Sequence, residues 1–157
     1  MIQRIQTVWL LAATVTLLGL FVFPYVSFID LVGLGKKIFI TGTYSSLNNE
    51  SVRESSTFAL AFYAGVVAIL PVVIVFFYKN RKRQIVFIFV EMLLIALLGF
   101  WMYSSANTVL NLITQKIRPG NIGVGFFLLP LAIIFLSMAI GGIRKDEKLI
   151  KSANRLR

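Results

Sequence analysis

Four apolar blocks alternate with short polar segments along the chain. Ile5 to Ile29 holds 25 residues without a charge, bounded by Arg4 and Asp30. Three further blocks run over residues 57–78, 85–104 and 122–143, each without clustered charge. Crossing about 30 Å of hydrocarbon takes roughly 20 mainly apolar helical residues. The pattern therefore predicts an all-α membrane protein, a single domain over 1–157 built as a four-transmembrane-helix bundle. Its spans are expected at about 5–28, 57–78, 85–104 and 122–143, with a basic tail at 144–157. A cleaved leader is the rival reading of the first block. That block is too long for one, and no small-x-small site follows it.

Details within the blocks sharpen the expectation. Pro24 marks the end of the first helix, because proline cannot continue one. In the second block Ala61, Ala64, Gly65 and Ala68 recur at i, i+3, i+4 and i+7. Such a face without bulk lets backbones approach closely in lipid, so it is read as the central helix-packing seam. Pro71 removes a backbone donor from the same helix and predicts a kink nearby. Beyond the third block, Val109, Leu110, Ile113 and Ile117 keep helical spacing, so that helix either projects past the bilayer or lies along its surface. Arg118-Pro119-Gly120 ends it. Gly141-Gly142 closes the fourth span. The tail places Leu149, Ile150, Ala153 and Leu156 on one face of a short amphipathic helix. The polar segment 30–56 is a small β-hairpin, seeded by the β-prone Lys37 to Thr41, or an ordered loop without much sheet.

Composition agrees with a membrane location. Of 157 residues, 58% are hydrophobic and 14% charged, against roughly a quarter charged in soluble domains. The chain has no Cys and no His. Disulfides and thiolate chemistry are excluded, and haem, zinc and most transition-metal sites lose their usual ligands. No cofactor or metal site is expected.

The net charge of +10 lies in segments flanking the apolar blocks. Arg4, the cations Lys79, Arg81, Lys82 and Arg83, and the tail's Arg144, Lys145, Lys148, Lys151, Arg155 and Arg157 make 11 on one side. Lys36, Lys37, Arg53, Lys116 and Arg118 make 5 on the other. Short segments rich in Lys and Arg stay cytoplasmic. Both termini are therefore expected inside, with the first and third loops outside.

Three stretches carry a resemblance: Met1-Ile-Gln-Arg-Ile-Gln-Thr-Val-Trp9, Tyr78-Lys-Asn-Arg-Lys-Arg-Gln-Ile85 and the closing Arg144 to Arg157. Together they resemble an uncharacterised family of four-span inner-membrane proteins from Bacteroidota, catalogued as a domain of unknown function. The resemblance implies four helices in a bacterial inner membrane and supplies no catalytic residues. All three stretches fall on the expected cytoplasmic side, which suggests a partner or lipid surface there.

Glu91 is the sharpest single residue. A carboxyl within a span is costly, so it should face the bundle, be protonated or find a partner. Thr14, Thr16, Tyr63 and Arg4 are candidate partners. Glu91 is either a proton or cation site, or one interhelical hydrogen bond, or a side chain reaching to the interface. The basic turn and tail serve topology, anionic lipid heads or an acidic partner. No aromatic lies among the cations and no known module is present, so nucleic acid is not the expected partner. No phosphate loop, nucleophile–base pair or paired intramembrane carboxylates appear, so an enzyme is not expected. The expectation is an accessory or structural subunit of the inner membrane, touching anionic lipid head groups and either other membrane subunits or copies of itself. The alternative is a homo-oligomeric channel or transporter using Glu91.

Overall fold

The computed structural model describes residues 3–30, 33–47 and 50–155, with side chains throughout except at 3–4, 46–47, 50–51, 79 and 149–155. The helices are α1 (Gln3–Leu18), α2 (Phe58–Val75), α3 (Arg81–Asn111) and α4 (Val124–Arg155). Between α1 and α2 lie the strands β1 (Val26–Ile29), β2 (Gly35–Phe39), β3 (Gly42–Leu47) and β4 (Glu50–Ser56). The chain is thus not all-α. It joins an up-and-down bundle of four helices to a four-stranded antiparallel sheet in the order β1-β2-β3-β4.

The first apolar block divides between the two parts, which corrects the expected helix over 5–28. The α-helix stops at Leu18 and a single 3-10 turn carries it to Phe21. Pro24 disfavours helical backbone at Phe23 and has no N–H to give. The remaining apolar residues then pair as β1, with Val26 opposite Ile38 and Phe28 opposite Lys36. Val26 and Phe28 are buried while Ile29 is exposed. Apolar helical residues Ile5–Phe21 number 17, about 25 Å at 1.5 Å per residue. This helix is shorter than the other three, which are each long and apolar enough to cross a membrane.

The sheet is larger than one hairpin. β2 pairs with β3, and β3 pairs with β4 through a bulge at Thr43/Tyr44. Lys36 crosses one face, with Nζ 2.9 Å from both Asp30 and Glu54. These two carboxylates hold its pKa above the usual lysine value.

Each helix packs against its neighbours in a closed ring, α1 on α2 and α4, and α3 on α2 and α4. Ala13, Val67, Ala68, Ile95, Leu98, Ala132 and Ala139 are fully buried at these contacts. In lipid, close van der Waals packing of this kind, rather than escape from water, holds helices together. Trp9 stacks on Phe135 across α1 and α4, with ring centroids 5.9 Å apart. Tyr63 meets Trp101 across α2 and α3 at 5.7 Å.

Two helices outrun their expected ends. α3 has 31 residues, so it takes in the basic stretch at one end and projects past residue 104 at the other. α4 has 32 and passes through Gly141-Gly142 without a break, so span and tail form one helix. Glycine costs an exposed helix interior about 1 kcal/mol. Gly142 instead sits where α1 comes close, since a Cβ there would stand 3.0 Å from Gln6 Cγ. α2 continues helically through Pro71, and helical dihedrals are lost only at Phe77, in the 3-10 turn Phe76–Lys79.

Candidate functional site

The buried face of α3 runs Gln84, Ile88, Glu91, Ile95, Leu98 and Met102. That spacing of three and four turns Glu91 inward, where it is 1% exposed. Among the described residues neither of its carboxyl oxygens has a hydrogen-bond partner. The hydroxyls named as candidate donors are engaged elsewhere. Thr14 donates to Leu10 O at 3.2 Å, Thr16 to Ala12 O at 2.7 Å, and Tyr63 to Leu94 O at 3.2 Å. The Arg4 side chain lies outside the described residues.

Other polar groups share the interior that a reading of charge alone passes over. Gln6 on α1 donates its side-chain amide to Asp146 Oδ2 on α4. Both are buried, and Asp146 Oδ1 has no partner among the described residues. Gln84 is also buried and donates to Ile74 O of α2 at 3.3 Å. The signal was periodic: Gln84 precedes Glu91 by seven positions and Gln6 precedes Thr14 by eight, each pair on one helix face. Among the described residues no three acidic side chains come together, so Glu91 and Asp146 act as single carboxyls.

Of the seam residues, Ala64 and Ala68 are buried, while Ala61 and Gly65 are half-buried. The cations divide by helix. Lys82 and Arg83 are exposed and Arg81 half-buried in the first turn of α3, and Arg144, Lys145 and Lys148 are exposed on α4. The side chains of Lys79, Lys151 and Arg155, and Arg157 entirely, lie outside the described residues, as does the apolar face at 149–156.

The opposite end of the bundle holds two cavities. α4 starts against the chain leaving α1, with Gly123 N donating to Tyr25 O at 2.9 Å and Gly125 N to Pro24 O at 3.0 Å. A Cβ on Gly123 would lie 2.3 Å from Pro24 O, so only glycine allows this approach. α3 ends in a Schellman turn: Gln115 N reaches Leu110 O at 3.0 Å and Thr114 N reaches Asn111 O at 3.1 Å. The left-handed position usually held by glycine is Thr114, at φ 57°. A β-branched residue there is strained by about 1 kcal/mol or more. Past it, Gln115 Nε2 donates to Ile29 O at 3.2 Å and ties the loop to β1.

Two cavities flank this junction. One of about 760 Å³ is polar, lined by Gln115, Lys116, Arg118 and Asn121 with Phe28 and Ile29. The other, about 170 Å³, is walled by apolar groups including Val26, Met102, Ala106, Ile117 and Phe126. Tyr25 also lines it, and its buried hydroxyl makes no hydrogen bond among the described residues. Ser105 is the polar side chain that reaches toward that hydroxyl, short of hydrogen-bond geometry. Counting Lys116 and Arg118 only as loop charges hid their place in a cavity wall.

The match to a family model runs over residues 2–156, nearly the whole chain. The chain belongs to the family described as a domain of unknown function, DUF4293. No curated protein matches it. The family covers the bundle, the sheet and the junction between them as one unit, and assigns no activity to any of them.

Proposed function

We propose that the chain is a small accessory or structural subunit of a bacterial inner membrane, acting through helix–helix, protein-partner and anionic-lipid contacts rather than catalysis. The resemblance to Bacteroidota proteins supports the organism class, and the charge bias supports cytoplasmic termini with the sheet outside. One observation carries the partner reading. Along α2, Phe58, Phe62 and Ile69 are 77%, 67% and 59% exposed, and Phe76 just past its end is 74% exposed, so large side chains cover this outer face throughout. They sit opposite the small residues that pack inward, a division suited to a helix with neighbours on both sides. Purification in mild detergent should give a stoichiometric partner or a stable homo-oligomer, with photo-crosslinks from position 62 entering it. A monodisperse lone monomer without such crosslinks would defeat this reading.

A second reading rests on Glu91, whose two unpartnered oxygens share the bundle interior with Asp146. It makes the protein a homo-oligomeric channel or transporter. Flux in proteoliposomes should then be lost in Glu91→Gln while the helical content stays unchanged. Equal flux in the two proteins would remove Glu91 from any transport step.

A further inference from the structure

We infer that the junction of α3, α4 and β1 is a binding site for an anionic phospholipid, its phosphate at Lys116 and Arg118 and an acyl chain in the apolar cavity. The inference is independent of the partner reading and concerns the end of the bundle away from the cation-rich turn of α3.

Depth comes first. From Ile85, the expected inner end of the span, to Ser105 is 20 residues, about 30 Å of helix. That matches the thickness of the hydrocarbon core. Trp101 and Tyr103 are exposed at this level, as interfacial aromatics are. The apolar cavity, walled by Met102 and Ala106, therefore lies where acyl chains end. α3 continues to Asn111, and the chain after it folds back so that Ile117 meets Met102 and Ala106, which brings Lys116 and Arg118 to the level of the head groups.

Charge comes second. The polar cavity presents Lys116 and Arg118, and no acidic side chain lines it among the described residues. Asp30, the acid next to Ile29, is held by Lys36 at 2.9 Å. Gln115 and Asn121 add neutral amide groups to the same wall. Guanidinium and ammonium groups beside amides suit a phosphodiester better than a neutral head group.

The third point is connection. Lys116 and Arg118 line the polar cavity, and Ile117 between them lines the apolar one. An extended segment alternates its side chains in this way, so one short stretch of backbone serves both spaces. β1 also borders both spaces along its length, with Val26 lining the apolar one and Phe28 and Ile29 the polar one. A molecule charged at one end and apolar at the other fits both walls together, whereas a free anion would leave the apolar space unused.

The test uses the full chain in phosphatidylcholine nanodiscs with spin-labelled phosphatidylglycerol, reading the immobilised lipid fraction. Lys116→Gln with Arg118→Gln, both exposed, should weaken retention about thirty-fold, the scale of two head-group cations. Lys37→Gln, which removes an exposed sheet cation that lines neither cavity, should leave that retention unchanged. Ala106→Leu, which fills the apolar cavity, should release the chain while the thermal midpoint holds. Inorganic phosphate should not displace the label. Unchanged retention in the Lys116/Arg118 variant overturns the proposal. So does an equal loss in the Lys37→Gln variant, or displacement by inorganic phosphate alone, which would mark a free-anion site. A lone monomer in detergent would defeat the partner reading and leave this result untouched.

Discussion

The two ends of the bundle are built on opposite plans. At the sheet end, distant backbone segments lock together: Gly123 and Gly125 clasp Pro24 and Tyr25, Gln115 reaches Ile29, and β1 bridges to Ile122. At the other end, α3 and α4 simply carry charged turns at their termini, and the described contacts between helices there are side-chain bonds from Gln6 and Gln84. A clasp of backbone atoms tolerates almost no added volume. A charged helical extension tolerates a great deal, because water and head groups reorganise around it. Substitutions should therefore sort by end more than by residue type.

The widest contrast is between two glycines. Gly123→Ala puts a Cβ 2.3 Å from Pro24 O and should cost several kcal/mol. Gly141→Ala meets nothing within 4 Å on an α-helix and should stabilise by up to about 1 kcal/mol. Thermal midpoints in one detergent compare them directly, and equal shifts would erase the distinction between the ends.

Next in size is the buried pair at the cation-rich end. Gln6→Ala leaves both Asp146 oxygens without a partner and should cost about 1–3 kcal/mol, as for other orphaned buried polar groups. Adding Asp146→Leu to it removes the orphan as well and should recover much of that loss. A double variant as unstable as the sum of the singles would show that the two side chains act independently.

The smallest effect belongs to the sheet. Lys36→Met removes the cation between Asp30 and Glu54 and should cost about 1 kcal/mol. The folded pKa of Lys36 is raised, so its contribution is complete below the ordinary lysine value of 10.5 and fades as pH rises through the folded value. Stability differences between wild type and Lys36→Met should stay constant from pH 6 to 9 and shrink only in strong alkali. A difference that vanished near neutrality would assign the effect to something other than Lys36.

Sequence patterning located the helices well because a helix closes its hydrogen bonds within itself and needs only a local run of apolar residues. It misplaced the end of α1 for the same reason. Val26 to Ile29 is as apolar as the helix before it, and its strand partners lie at 35–38, beyond Asp30 and Gly33. β4, with its run of Glu and Ser, has little strand preference of its own and is a strand because β3 lies beside it. The inward direction of Glu91 was implicit in its spacing from Gln84. Its lack of a partner depends on where three other helices put their hydroxyls.

The chain's own order of apolar blocks and charges determined that this is a helical membrane protein with its cations gathered mainly at one end. Each of those properties is a sum over neighbouring residues. Tertiary structure alone decided that two thirds of a polar loop becomes sheet, that Gln6 meets Asp146 across 140 positions, and that Lys116 and Arg118 flank a residue lining an apolar cavity. Those outcomes require segments far apart in sequence to meet, and no local pattern encodes the meeting.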